Sequence, residues 1–120
     1  MPITGLWGPY SLDIDTIDAE VKKKNSAGAY ALGHVNKEGE FVPKYVGRSD
    51  DDINGRLKKW VGSEYSKFKF KYYDSPKAAF EKECNLYHDW KNQLDNKQHP
   101  DRPDGTNWKC PRCNVFNGQD

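Results

Sequence analysis

A chain of 120 residues with a formal net charge of +1 at pH 7 can bury one modest core, and its near neutrality excludes a protein that coats polyanions by bulk charge. Its three cysteines cannot all pair, and two stand as Cys110-Pro111-Arg112-Cys113, a spacing that suits a metal knuckle or a redox motif better than a structural disulfide and implies a reducing, cytoplasmic setting. With no basic segment followed by an apolar run at the start and no apolar stretch of membrane-spanning length, neither secretion nor membrane insertion is expected.

Residues up to about Tyr10 carry Pro2, Gly5, Gly8 and Pro9 and read as an irregular lead-in. From Asp13 to Lys24, Ile14, Ile17 and Val21 recur at helical spacing, with acids first and lysines last, which predicts a short helix broken at Asn25-Ser26. Two strands follow, about Ala27 to Val35 and Glu40 to Gly47. The turn Asn36-Lys37-Glu38-Gly39 joins them as a hairpin that sets Tyr30 near Tyr45.

Asp50-Asp51-Asp52 supplies the cap of a helix from about Ile53 to Val61, with Ile53, Leu57, Trp60 and Val61 as its apolar stripe. The strict alternation of Lys67-Phe68-Lys69-Phe70-Lys71-Tyr72 predicts a third strand, and Ser75-Pro76 opens a long helix to about Leu94. The expected fold is α+β: a small three-stranded antiparallel sheet flanked by helices, with an irregular C-terminal tail pinned by zinc. Residues 1–25 form the lead-in and short helix, 26–95 the core, and 96–120 the tail.

The chemistry-bearing residues fall in a definite order. Gly28-Ala29-Tyr30 and Tyr45-Val46-Gly47 lie on the two hairpin strands, Arg56 in the next helix and Glu83 in the last. Glu83 is preferred to Glu81 because Ala79, Glu83, Leu86 and Trp90 share one otherwise apolar stripe, and a carboxylate there needs a cation or hydrogen bonds to offset its burial. This set resembles the GIY-YIG nuclease superfamily, whose members read Gly-Ile-Tyr, Tyr-Ile-Gly, an arginine on the next helix and a glutamate on the one after. The resemblance runs from about Ser26 to about Gln93.

The resemblance implies a metal-dependent DNA endonuclease. Tyr45 or Tyr30 would deprotonate or orient the attacking water, Arg56 would hold the scissile phosphate, and Glu83 would anchor one magnesium or manganese ion. Arg48, Lys44, Lys58, Lys59, Lys67 and Lys69 are the candidate contacts to the DNA backbone, since residues 53–73 hold six cationic side chains against Glu64 alone. A protein partner or a homodimer would supply specificity. The chain departs from the pattern at Ala29 and at Trp60, four residues after Arg56, where some relatives carry His or Tyr. The superfamily's C-terminal asparagine has two matches, Asn92 and Asn96. The rival expectations are a member of this fold that binds nucleic acid without cutting it and a zinc-stabilised interaction module.

Cys84 and His88, four residues apart on one helix, combine with Cys110 and Cys113 into a four-ligand zinc set, with His99 as a competing fourth ligand. Four protein ligands would make that zinc structural, under apolar cover from Trp108 and Phe116. The plainer reading leaves Cys84 as a small core residue.

Overall fold

The computed structural model describes residues 4–23 and 25–116. In chain order it contains β1 (Trp7–Ser11), α1 (Ile14–Glu20), β2 (Ala27–Val35), β3 (Phe41–Ser49), α2 (Ile53–Lys58), β4 (Lys67–Tyr73) and α3 (Pro76–Trp90). Each helix starts where a short polar side chain can accept from a free backbone N–H. Asp13 accepts from Thr16 N at 2.8 Å, Asp52 from Gly55 N at 3.0 Å and Ser75 from Ala78 N at 3.1 Å. None of its helices is long and apolar enough to cross a membrane, among the described residues.

The fold is α+β, as expected, but the sheet has four strands in the order β1-β4-β2-β3 and not three. The extra strand is β1, part of the segment read as irregular lead-in. It pairs antiparallel with β4, with its register shifted between Trp7 and Tyr10. Gly8-Pro9 interrupts the apolar alternation there, and an edge strand tolerates a proline that a central one would not. Three helices are shorter than their periodicity suggests. The first ends at Glu20 because Val21, 1% exposed, turns into the core and gives its carbonyl to Asn54 Nδ2 at 2.7 Å. Lys24, the expected end, lies outside the described residues, as do 1–3 of the lead-in and 117–120 of the tail. α2 tightens after Lys58 into turns with bonds from Lys59 N to Arg56 O and Trp60 N to Leu57 O, and α3 stops at Trp90.

Strand alternation divides the core between the two faces of the sheet. Tyr30 and Leu32 of β2 and Phe68 and Phe70 of β4 pack with Ile17, Val21, Ile53 and Leu57 beneath α1 and α2. Ala29, Ala31 and Val46 pack on the other face against Leu86 of α3, where the small alanines let the helix approach.

β3 is an outer strand, and the chain after α3 covers its free edge. Gln93 Nε2 donates to Pro43 O at 2.9 Å, Asp95 N donates to Lys44 O, and Asn96 bonds both Val46 N and Val46 O at 2.9 Å. Of the two candidate asparagines, Asn96 therefore sits on the Tyr45-Val46-Gly47 strand.

Candidate active site and metal centre

Tyr30 and Tyr45 share the α2 face of the sheet, on adjacent strands where Tyr30 pairs with Gly47 and Leu32 with Tyr45. The Tyr30 ring lies across Gly47: a Cβ built there would stand 2.5 Å from both Cζ and Oη of Tyr30. The phenol thus reaches over the outer strand toward the cleft that Arg56 of α2 and Glu83 of α3 both line. This cleft of ≈ 260 Å³ is lined by Tyr30, Tyr45, Gly47, Arg48, Asp50, Arg56, Glu83 and Asp101. The two tyrosines, Arg56 and Glu83 picked out from the sequence all line it.

Glu83 is 8% exposed, and its Oε1 accepts from Arg48 Nη1 at 2.7 Å. The same guanidinium donates through Nε to Asp50 Oδ1 at 3.2 Å and through Nη1 to the Asp101 carbonyl at 2.6 Å, while lying over the Phe80 ring. Burial pushes the Glu83 carboxyl up to about 7, and the charge of Arg48 opposes that rise without cancelling it. Tyr30 is pushed up to about 12 by burial, offset in part by a hydrogen bond from Trp60 Nε1 at 3.1 Å and by the charge of Arg56. Tyr45 is raised for the same first reason, with Glu83 adding to it. Both phenols are therefore protonated at neutral pH in the unliganded protein.

The cationic residues do not form one face. Arg48 is held by Glu83, Asp50 and Asp101. Lys58 is paired with Asp18 of α1. Lys67 donates to Ser11 Oγ at 3.1 Å, and Lys69 lies over Phe41. Because Phe68 and Phe70 face α1 and α2, the β4 lysines project from the opposite face to the tyrosines. Lys44 lines none of the clefts described here. Of the six expected DNA contacts, Arg48 and Lys59 line a cleft; Lys58, Lys67 and Lys69 are turned elsewhere by these partners.

A second opening of ≈ 370 Å³ adjoins the first, sharing Tyr30, Tyr45 and Arg56 and adding Lys59 and Trp60. Trp60 packs against Tyr45 with ring centroids 4.6 Å apart, and Tyr65 stands 6.0 Å from Trp60. The indole N–H donates to Tyr30, so Trp60 braces the phenol.

Elsewhere in the structure, His88 of α3 and His99, Cys110 and Cys113 of the tail bring one ligand atom each to within 4.8 Å of one another. His88 Nε2 and His99 Nε2 are 3.3 Å apart, and Cys113 Sγ lies 3.5 Å from His99 Nε2. His99 Nδ1 faces the Pro100 carbonyl at 2.7 Å; a carbonyl only accepts, so Nδ1 carries the proton and Nε2 keeps its lone pair for the cluster. Cys84, expected as a ligand, is not among the four. It is fully buried with Phe80 and Phe116, and burial, then the adjacent Cys110 sulfur, push its thiol far above the usual range. His99 takes the fourth place.

Sequence reasoning missed Asp50 and Asp101 and the engagement of Arg48. Asp50, two residues after Arg48, was a readable signal. The carbonyl of Asp101 carried none, since a backbone acceptor has no sequence signature. Compared with known proteins, the chain matches no family model, no curated protein and no solved structure.

Proposed function

We propose that this protein is a small GIY-YIG-like endonuclease that hydrolyses phosphodiester bonds in DNA with the help of a divalent ion, magnesium or manganese. The observation that carries the reading is the shared cleft of Tyr30, Tyr45, Arg56 and Glu83, four side chains from β2, β3, α2 and α3. Phosphodiester hydrolysis needs an oriented water, charge neutralisation at phosphorus and stabilisation of the departing oxygen. Arg56, exposed and free of any ion pair among the described residues, is the phosphate clamp. Tyr30 and Tyr45 hold the water by hydrogen bonds from neutral phenols, with Tyr30 fixed from behind by Trp60. Glu83 and Asp50 offer hard oxygen donors that fit magnesium or manganese, and Arg48 compensates Glu83 while no ion is bound. When bound, the ion neutralises charge on the leaving oxygen.

The knuckle cluster is read as a structural zinc site. Zinc about 2.0–2.1 Å from nitrogen and about 2.3 Å from sulfur demands tetrahedral edges of roughly 3.3–3.4 Å between nitrogens and roughly 3.5–3.6 Å from nitrogen to sulfur. The His88–His99 and His99–Cys113 separations of 3.3 Å and 3.5 Å match these two edges, and all four ligand atoms lie within 4.8 Å of one another. With four protein ligands no position is left for a reacting water.

A plasmid nicking assay in magnesium or manganese tests the nuclease reading: the protein should nick, and a Glu83→Ala, Tyr45→Phe double variant should not. Equal cleavage by both would overturn it. The Arg48–Glu83 ion pair favours one second reading, a protein of this fold that binds DNA without cutting it; DNA binding with no turnover in manganese would decide for that.

A further inference from the structure

The second opening faces a different task from the first. Asp50, Glu83 and Asp101 line the cleft proposed for the chemistry, whereas no carboxylate lines its neighbour, where Arg56 and Lys59 stand beside the rings of Tyr45 and Trp60. The aromatic wall is braced: Trp60 Nε1 is held by Tyr30 Oη, and Tyr65 Oη donates to Asp95 Oδ2 at 2.8 Å. Rings fixed in this way can stack a flat partner with little ordering cost. The flanking cations complement a phosphate on either side of that partner.

We infer that this opening is a nucleobase subsite, which takes the base of an unpaired nucleotide next to the scissile phosphate. The inference rests on the nuclease reading for the position of that phosphate. Because the two openings share Tyr30, Tyr45 and Arg56, a strand held at Arg56 passes from one to the other within a single nucleotide step. Inside a duplex both faces of a base are covered by its neighbours, so only an unstacked nucleotide can offer a face to Trp60 and Tyr45. Lys59, exposed at the mouth, receives the next phosphate. The substrate class is therefore DNA with unpaired residues beside the cut, such as a flap, an overhang or a loop, and continuous duplex is the poorer ligand.

The test uses the zinc-loaded full chain carrying Glu83→Gln, which cannot cut, and measures binding to a forked duplex and to a fully paired duplex of equal length. An abasic residue is then walked through the unpaired arm, so that the lesion sits in the DNA and not in the protein. The fork should bind about tenfold more tightly than the duplex, and one abasic position beside the junction should cost about tenfold while its neighbours cost little. Trp60→Leu should flatten that profile. Equal affinity for fork and duplex, or a flat abasic profile in the Glu83→Gln protein, would overturn the subsite. A sharp abasic profile in a protein that never nicks DNA would uphold the subsite and sink the nuclease reading alone; plasmid nicking with a flat profile would do the reverse.

Discussion

Tyr30 reaches the cleft only because Gly47, its partner on the adjacent strand, has no side chain: an added methyl would meet both Cζ and Oη of the phenol at 2.5 Å. The requirement is for space and not for an unusual backbone, since Gly47 is absent from the glycines with positive φ. Gly47→Ala should destabilise the protein by about 1–3 kcal/mol, as overpacking of a filled site does, and should abolish cleavage by displacing the phenol. Tyr30→Leu in the same chain should recover part of the stability without restoring activity. Denaturant melts of the two single variants and the double variant check this, and strict additivity would show that the two sites do not meet.

The ion pair of Arg48 with Glu83 leads to a second expectation. Truncating Arg48 to Ala removes the cation that opposes the rise of the Glu83 carboxyl, so the group takes up a proton at neutral pH and the cost in metal-free buffer should be about 1–3 kcal/mol, for the lost hydrogen bonds. If Arg48→Ala were as stable as the parent protein by chemical denaturation, the pairing would have no energetic meaning.

The Glu83 carboxyl also sets a pH dependence. Its folded value of about 7 exceeds the ordinary 4.5 of a glutamate, so the folded state binds the extra proton between the two. Stability attributable to Glu83 is full below about 4.5 and declines as pH rises toward about 7. Burial, then the neighbouring charge of His99, lower His88, and that gives the opposite slope, so the readout is a difference. Melting temperatures of the parent minus those of Glu83→Gln, in buffer without magnesium or manganese, should fall across this interval. A flat difference would contradict the shift.

The knuckle makes a prediction that separates its two sulfur environments. On the proposed zinc site, native mass spectrometry should show one equivalent of zinc in the parent and in Cys84→Ser and none in Cys110→Ser, which should also melt at a lower temperature. Chelation should also weaken cleavage, because His99 lies two residues before Asp101, whose carbonyl holds Arg48. Loss of zinc from the Cys84 variant would return Cys84 to the ligand set.

What could be read from the sequence is mostly what local order determines. Asp52 and Ser75 announce their helices within three residues, and the stripe of Ala79, Glu83 and Leu86 separates Glu83 from Glu81 because a helix repeats every 3.6 residues. β1 was hidden, since Gly8-Pro9 erases its alternation and its pairing with β4 is a distant contact. Arg48 reads as a DNA contact because two of its three partners, Glu83 and the Asp101 carbonyl, are 35 and 53 positions away in the chain. His99, in an aperiodic loop, could be counted as a ligand but not ranked above Cys84; only the fold brings His99 to the cluster and packs Cys84 with Phe80, Cys110 and Phe116.

The segment that runs from α3 to the knuckle acts as a makeshift fifth strand, with Gln93, Asp95 and Asn96 satisfying the outward-facing groups of Pro43, Lys44 and Val46. With zinc in the knuckle as proposed, removing the ion would free this segment and turn those groups into a template for another chain. Solubility then becomes a metal-dependent property: a stripped preparation should associate through its bared sheet margin before it unfolds.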